Sequence, residues 1–170
     1  MHGSAPLVHL VCGPSGAGKT TYARRLCDDI GGVHFSIDDW MTTLFAADAP
    51  PVPDWNWVVD RVQRNESQII AMTVQLGRLN IPSVHDLGFL GRDQRVRVAG
   101  AARAAGLATR LHILDLDREE RWRRVAARNA EKGETYRLTV TRPMFDFVDR
   151  LWQPPSDDEM AAVGGGYAGG

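Results

Sequence analysis

The chain predicts a doubly wound α/β fold, a mainly parallel sheet of four to five strands layered between helices. Three observations carry that expectation. Short apolar runs alternate with longer amphipathic ones along most of the 170 residues. A glycine-rich turn stands where the first apolar run gives way to the first amphipathic one. Acidic residues fall at the carboxyl ends of the strand-like runs, which is where such sheets bind ligands.

Taken in order, residues 7–11 alternate little, as a strand covered on both faces should. A helix follows over 19–29, with Tyr22, Ala23, Leu26 and Ile30 at helical spacing. "GGVHFSIDDW" supplies a turn, a second strand over 33–37 and two carboxylates, then a short helix over 41–45. The prolines of "ADAPPVPD" remove backbone donors and disfavour helix before them, so this stretch reads as a loop. Asp54 suits an N-cap, and Val58, Val62, Ile69, Met72 and Leu76 mark a long helix ending near Gly77. "IPSVHDL" is a third strand closed by Asp86, "RDQRVRVAGAARAAG" a helix, and 109–116 a fourth strand. An arginine-loaded helix over 118–132 and a last helix in "TRPMFDFVDRLWQPP" complete one domain over 7–155. No fifth strand is legible beyond it. Residues 1–6 and the tail 156–170, with its closing "GGGYAGG", offer little to pack and read as flexible ends.

Composition bounds the function. Apolar residues make up 44% of the chain, enough for one sizeable core, and 20 basic against 21 acidic residues leave a formal charge of -1. No global field therefore draws the chain to nucleic acid or to an anionic membrane. Cys12 and Cys27 are too few for a disulfide framework and read as reduced core thiols. With no transmembrane-length apolar run and no signal-peptide layout, the expected location is cytoplasmic.

Residues 13–20, "GPSGAGKT", match G-x-x-x-x-G-K-[ST] in the strand-to-helix setting that the motif requires, which weighs against a chance glycine turn. Glycines at 13, 16 and 18 let successive backbone N–H groups, with Ser15, Ala17 and Thr21 among them, turn toward phosphate oxygens at a helix N-terminus. Lys19 supplies a mobile charge for the β- and γ-phosphates, and Thr20 a hydroxyl for Mg²⁺. The expected ligands are ATP and Mg²⁺.

In "SIDDWM", a carboxylate beside the next strand can face the γ-phosphate from the acceptor side and take the acceptor's proton, and Asp38 is the candidate. Helix capping is the competing role for Asp39. Asp39 and Trp40 are counted with the acceptor pocket. Asp86 can reach Mg²⁺ or hold the acceptor; a turn residue before Gly88 is the alternative. His85 lacks a second ligand and reads as structural. Helical spacing places Arg121, Arg124 and Arg128 near one face. An ordinary solvated face competes with a lid in which Arg124 meets the nucleotide and Arg128 neutralises charge during transfer. Trp55 and Trp57 cover an acceptor pocket or simply pack.

The set "GPSGAGKTT", "FSIDDWM", "VHDLGFL" and "VAARNAEKG" resembles the P-loop kinase group that includes phage polynucleotide kinase, chloramphenicol phosphotransferase and zeta toxins. More closely, it resembles a family of small bacterial AAA-type ATP-binding proteins named as kinases. The resemblance implies a three-layer P-loop NTPase fold, Asp38 as acceptor-activating carboxylate, Lys19 and Thr20 at phosphate and Mg²⁺, Asp86 as the acidic residue after the third strand, and Arg128 as the lid arginine. One position departs. Polynucleotide kinases carry an arginine three residues after the aspartate to grip an acceptor phosphate, and this chain has Met41.

The expected activity is transfer of the γ-phosphate of ATP to a hydroxyl of a small molecule (antibiotic, sugar or nucleoside) by a monomer or homodimer. A 5′-hydroxyl polynucleotide kinase and a non-catalytic ATP-binding switch module are the competing readings.

Overall fold

The computed structural model describes residues 7–52, 54–133, 136 and 139–168. Five strands, β1 (Leu7–Cys12), β2 (Val33–Ser36), β3 (Ser83–Asp86), β4 (Ala108–Ile113) and β5 (Gly165–Tyr167), form one sheet in the order β2-β3-β1-β4-β5. Every pair is parallel, with β1 central and in register with both neighbours, Val8 opposite Ser83 and Thr109. Parallel pairing demands crossovers, and helices supply them: α1 (Lys19–Ile30), α2 (Ile37–Phe45), α3 (Trp55–Arg78), α4 (Arg92–Ala104), α5 (Arg118–Glu131), α6 (Arg142–Leu151) and α7 (Asp157–Val163).

The strand pleat divides the core. Val8, Leu10 and Cys12 of β1 join Phe35, Ile69, Val98, Ala102, Leu111 and Val163 in a large cluster under α3, α4 and α7. Val11 and Val84 on the other face pack on Ala23 and Cys27 of α1. Both cysteines are buried free thiols, and burial pushes Cys12 up to about 12. Among the described residues no helix is long and apolar enough to cross a membrane.

Two expectations are corrected. Strand β2 stops at Ser36, and α2 begins at once, so Asp38 and Asp39 lie in a helix's first turn. Neither caps it. Ser36 does, its hydroxyl accepting from the Asp39 amide at 3.2 Å.

The tail from 156, read as flexible with no strand to follow, folds as α7 and β5. Ser156 caps α7, Glu159 is buried with Arg95, and β5 joins the sheet beside β4 with Leu111 opposite Gly165. Glycine here serves close approach, because a Cβ on Gly165 would sit 2.5 Å from both the Leu111 Cβ and its carbonyl oxygen.

Candidate active site

The carboxyl ends of β1, β2 and β3 open into a cleft of 410 Å³, roofed by α5 and α6. Its floor is the turn between β1 and α1. Gly16 and Gly18 adopt φ of 81° and 90°, and a Cβ on Gly16 would meet the Arg121 carbonyl oxygen at 2.6 Å, so only glycine fits beneath α5. Gly13 packs as tightly on Leu114, with a notional Cβ 2.2 Å from its carbonyl oxygen. Ser15, Gly16, Gly18, Lys19, Thr20 and Thr21 line the cleft, whereas Gly13 and Ala17 lie buried behind that lining and shape the turn.

Lys19 Nζ donates to the Pro14 carbonyl at 3.0 Å, folding its ammonium back over the turn. Burial lowers its pKa, and the carboxylates of Asp86 and Asp38 oppose that shift. Thr20 Oγ1 donates to Asp86 Oδ2 at 2.7 Å, joining the start of α1 to the end of β3. A hydroxyl and a carboxylate side by side are the hard oxygen donors that Mg²⁺ prefers, so these two residues fit that ion.

Asp38 faces the same cleft from α2. Its side chain reaches solvent, yet surrounding protein replaces much of its hydration shell, and this raises its pKa. Asp86 adds repulsion, while Lys19 and Arg128 pull the other way. Ile37, Leu90 and Val148 give the cleft apolar wall on either side of these charges.

Of the three arginines expected on one face, two reach the cleft. Arg124 lines it beside Gly18 while paired to Glu120 at 3.1 Å. Arg128 lines it too, and among the described residues its buried Nε has no hydrogen-bond partner. Arg121 is the exception. It is buried, donates to the carbonyls of Ser15 and Leu116 at 3.1 Å each, and lies 2.8 Å from Asp149 of α6. It clamps the glycine turn to α5 and α6 and does not line the cleft. Arg118 and Arg142 extend the clamp through Asp146, Asp149 and Glu119, and Asn129 ties α5 to Val140 by two hydrogen bonds.

Asp39 and Trp40, expected at the acceptor pocket, fall outside the cleft lining; Trp40 packs edge-on against Phe35, centroids 6.1 Å apart, beside the core. Trp55 meets Phe147 of α6 edge-on at 5.9 Å, and Trp57 carries the Arg61 guanidinium 3.9 Å from its ring centre. His85 is buried against Thr73 and Ser83, and burial drives it down to about 3, so it stays neutral. Sequence reading missed Ile37, Gly88, Leu90, Val125 and Val148 in the cleft, and His34, 3.9 Å from Asp86. Only the apolar period of the last helix signals Val148, and nothing in the sequence says that this helix folds back over the site.

A parallel sheet of order 2-3-1-4-5, with a glycine turn feeding α1 and arginines closing from above, defines the class: a P-loop kinase fold. The chain belongs to the AAA_33 family, whose family model, described as an AAA domain, matches residues 8–144. No curated protein matches it. Among solved structures, an unliganded sugar kinase from Janibacter sp. HTCC2649 superposes with a TM-score of 0.66 at 17% identity, covering 96% of this chain and 85% of that one. A gluconokinase from Sinorhizobium meliloti 1021 gives 0.58 at 16%, covering 97% and 83%. Kti12 of Chaetomium thermophilum, in complex with ADP-AlF3, gives 0.69 at 15%, covering 96% and 88%. At these identities the likeness is one of fold.

Proposed function

We propose that the protein is an ATP- and Mg²⁺-dependent phosphotransferase that moves the γ-phosphate of ATP to a hydroxyl of a small molecule, an antibiotic, sugar or nucleoside. One observation carries this reading. Asp38 lines the same cleft as Lys19, Thr20 and Arg128, so a carboxylate and a phosphate cradle open on one space.

In this scheme the backbone amides of 15–20 and the Lys19 ammonium hold the β- and γ-phosphates. Thr20 and Asp86 would hold Mg²⁺, which supplies charge neutralisation on the phosphates when bound. Asp38 accepts the acceptor's proton as the acceptor oxygen bonds to the γ-phosphorus and the bond to the β-phosphate oxygen breaks, releasing ADP. A raised pKa suits a base better than an ordinary carboxylate would. Arg124 and Arg128 neutralise charge on the transferred group.

The fold shared with a sugar kinase and a gluconokinase supports a small hydroxyl acceptor. So does Met41, which packs against the core where a nucleic-acid kinase would present a phosphate-gripping arginine.

The test is transfer from γ-labelled ATP with Mg²⁺ into a panel of small hydroxyl compounds and 5′-hydroxyl oligonucleotides, comparing wild type with Asp38→Asn. A labelled small molecule that vanishes in the variant supports the proposal. Labelled oligonucleotides would reassign the acceptor class, and bound nucleotide with nothing labelled would favour a switch module.

A further inference from the structure

Among the described residues, the largest fully buried side chain is an arginine outside the cleft. Arg95, in the first turn of α4, is 0% exposed. Its guanidinium meets the buried Glu159 of α7 in a two-pronged ion pair, Nε to Oε1 at 2.6 Å and Nη2 to Oε2 at 3.0 Å. The Trp152 ring lies over it, 5.6 Å from Cζ to the ring centre. A buried pair of this kind costs desolvation and is weak evidence for stability by itself, so its remaining contacts are informative.

The third nitrogen points at the loop between β3 and α4. Arg95 Nη1 donates to the Phe89 carbonyl at 3.0 Å and reaches the Leu90 carbonyl at 3.5 Å. That loop needs holding. Gly88 and Phe89 both have positive φ, 83° and 47°, and a phenylalanine is disfavoured there. The segment after α6 grips it again, the Gln153 amide donating to the Leu90 carbonyl at 2.9 Å and the Gln153 side chain accepting from the Arg92 amide at 2.9 Å. Gly88 and Leu90 line the cleft with Asp38.

We propose that Arg95 and Glu159 are positioning residues: they lock the backbone of 87–91 in one conformation and so make the C-terminal helix a support for the acceptor-side wall. Calling that wall the acceptor side rests on the phosphotransferase reading above. The locking does not.

The experiment uses the full chain. Replacing both partners by apolar groups, Arg95→Met with Glu159→Met, avoids stranding a buried charge and is tolerated at many such sites. The expected result is hydrogen exchange at least about tenfold faster at the Arg92 and Gln153 amides, the two backbone donors that hold the loop, with β1 and α1 unchanged and MgADP affinity within twofold of wild type. Arg95→Lys, whose single nitrogen cannot hold both Glu159 oxygens and the Phe89 carbonyl at once, is expected to leave only part of the protection in place. If the double variant does not fold, Glu159→Gln alone is expected to speed exchange at the same amides to a smaller extent.

Unchanged loop exchange in a folded variant would overturn the proposal. So would faster exchange spread evenly over the sheet, the mark of a pair that merely stabilises the fold. None of these readouts needs an acceptor, so they decide the proposal even where the panel labels nothing. For the compound that wild type labels, the double variant should raise the acceptor KM about tenfold with the KM for ATP within twofold.

Discussion

The two ends of the cleft are built differently. On the proposed reading the phosphate end is built around one contiguous stretch, residues 13–21, with Asp86, Arg124 and Arg128 added from other elements. The shape of that stretch is set by backbone: glycines at positive φ, the Ser15 carbonyl gripped by Arg121, and a helix N-terminus beneath. The acceptor end, on the same reading, is assembled from Asp38 on α2, Gly88 and Leu90 after β3, and Val148 on α6, residues far apart in sequence that the fold brings to one cleft. A backbone site recognises what every phosphate shares, whereas an assembled wall changes with any of its contributors. This is why one cradle serves many acceptors.

The sharpest break between the ends should come from Asp38→Asn, which keeps shape and removes the base. Transfer is expected to fall about 10²- to 10⁴-fold, read as the rate of labelling at saturating ATP. Next is Arg121→Met, which removes the clamp on the Ser15 and Leu116 carbonyls and leaves the partly buried Asp149 with less of its counter-charge. About 3 kcal/mol of stability should be lost in urea unfolding, together with ADP affinity, although Arg121 does not line the cleft.

The pH dependence sharpens the comparison further. Because the Asp38 pKa is raised above the ordinary 3.8, the acid limb of the transfer rate should lie above the usual aspartate range. For stability the sign is the reverse of a salt-bridged aspartate. Between 3.8 and the raised value the folded state binds more protons than the unfolded one, so stability falls as pH rises through that window. Asp38→Asn should therefore raise the Tm at pH 7, with the gain shrinking as pH falls toward 4. The smallest effect belongs to Trp40→Phe, a core-edge repacking against Phe35 that should cost less than about 1.5 kcal/mol and leave transfer within twofold.

The same contrast explains what was legible in the sequence. The phosphate end could be read residue by residue, because its spacing is local and its setting is one strand and one helix. Asp38 could be found by type and place, but its helical position could not, since Ser36 rather than an aspartate ends β2 and caps α2. Helical spacing placed three arginines on one face and could not say that Arg121 would turn inward to the Ser15 carbonyl. The tail was misread for a physical reason. Glycine-rich composition suits a loose linker and equally suits a strand pressed against Leu111, and only the partner, absent from any local window, distinguishes them.

The most direct measurement is calorimetric titration of MgADP into wild type, Asp38→Asn and Lys19→Ala. If the cleft divides as described, Asp38→Asn binds MgADP within twofold of wild type while Lys19→Ala binds at least about tenfold more weakly. If Asp38→Asn weakens MgADP as much as Lys19→Ala does, Asp38 belongs to the nucleotide end, and the division of the cleft is wrong.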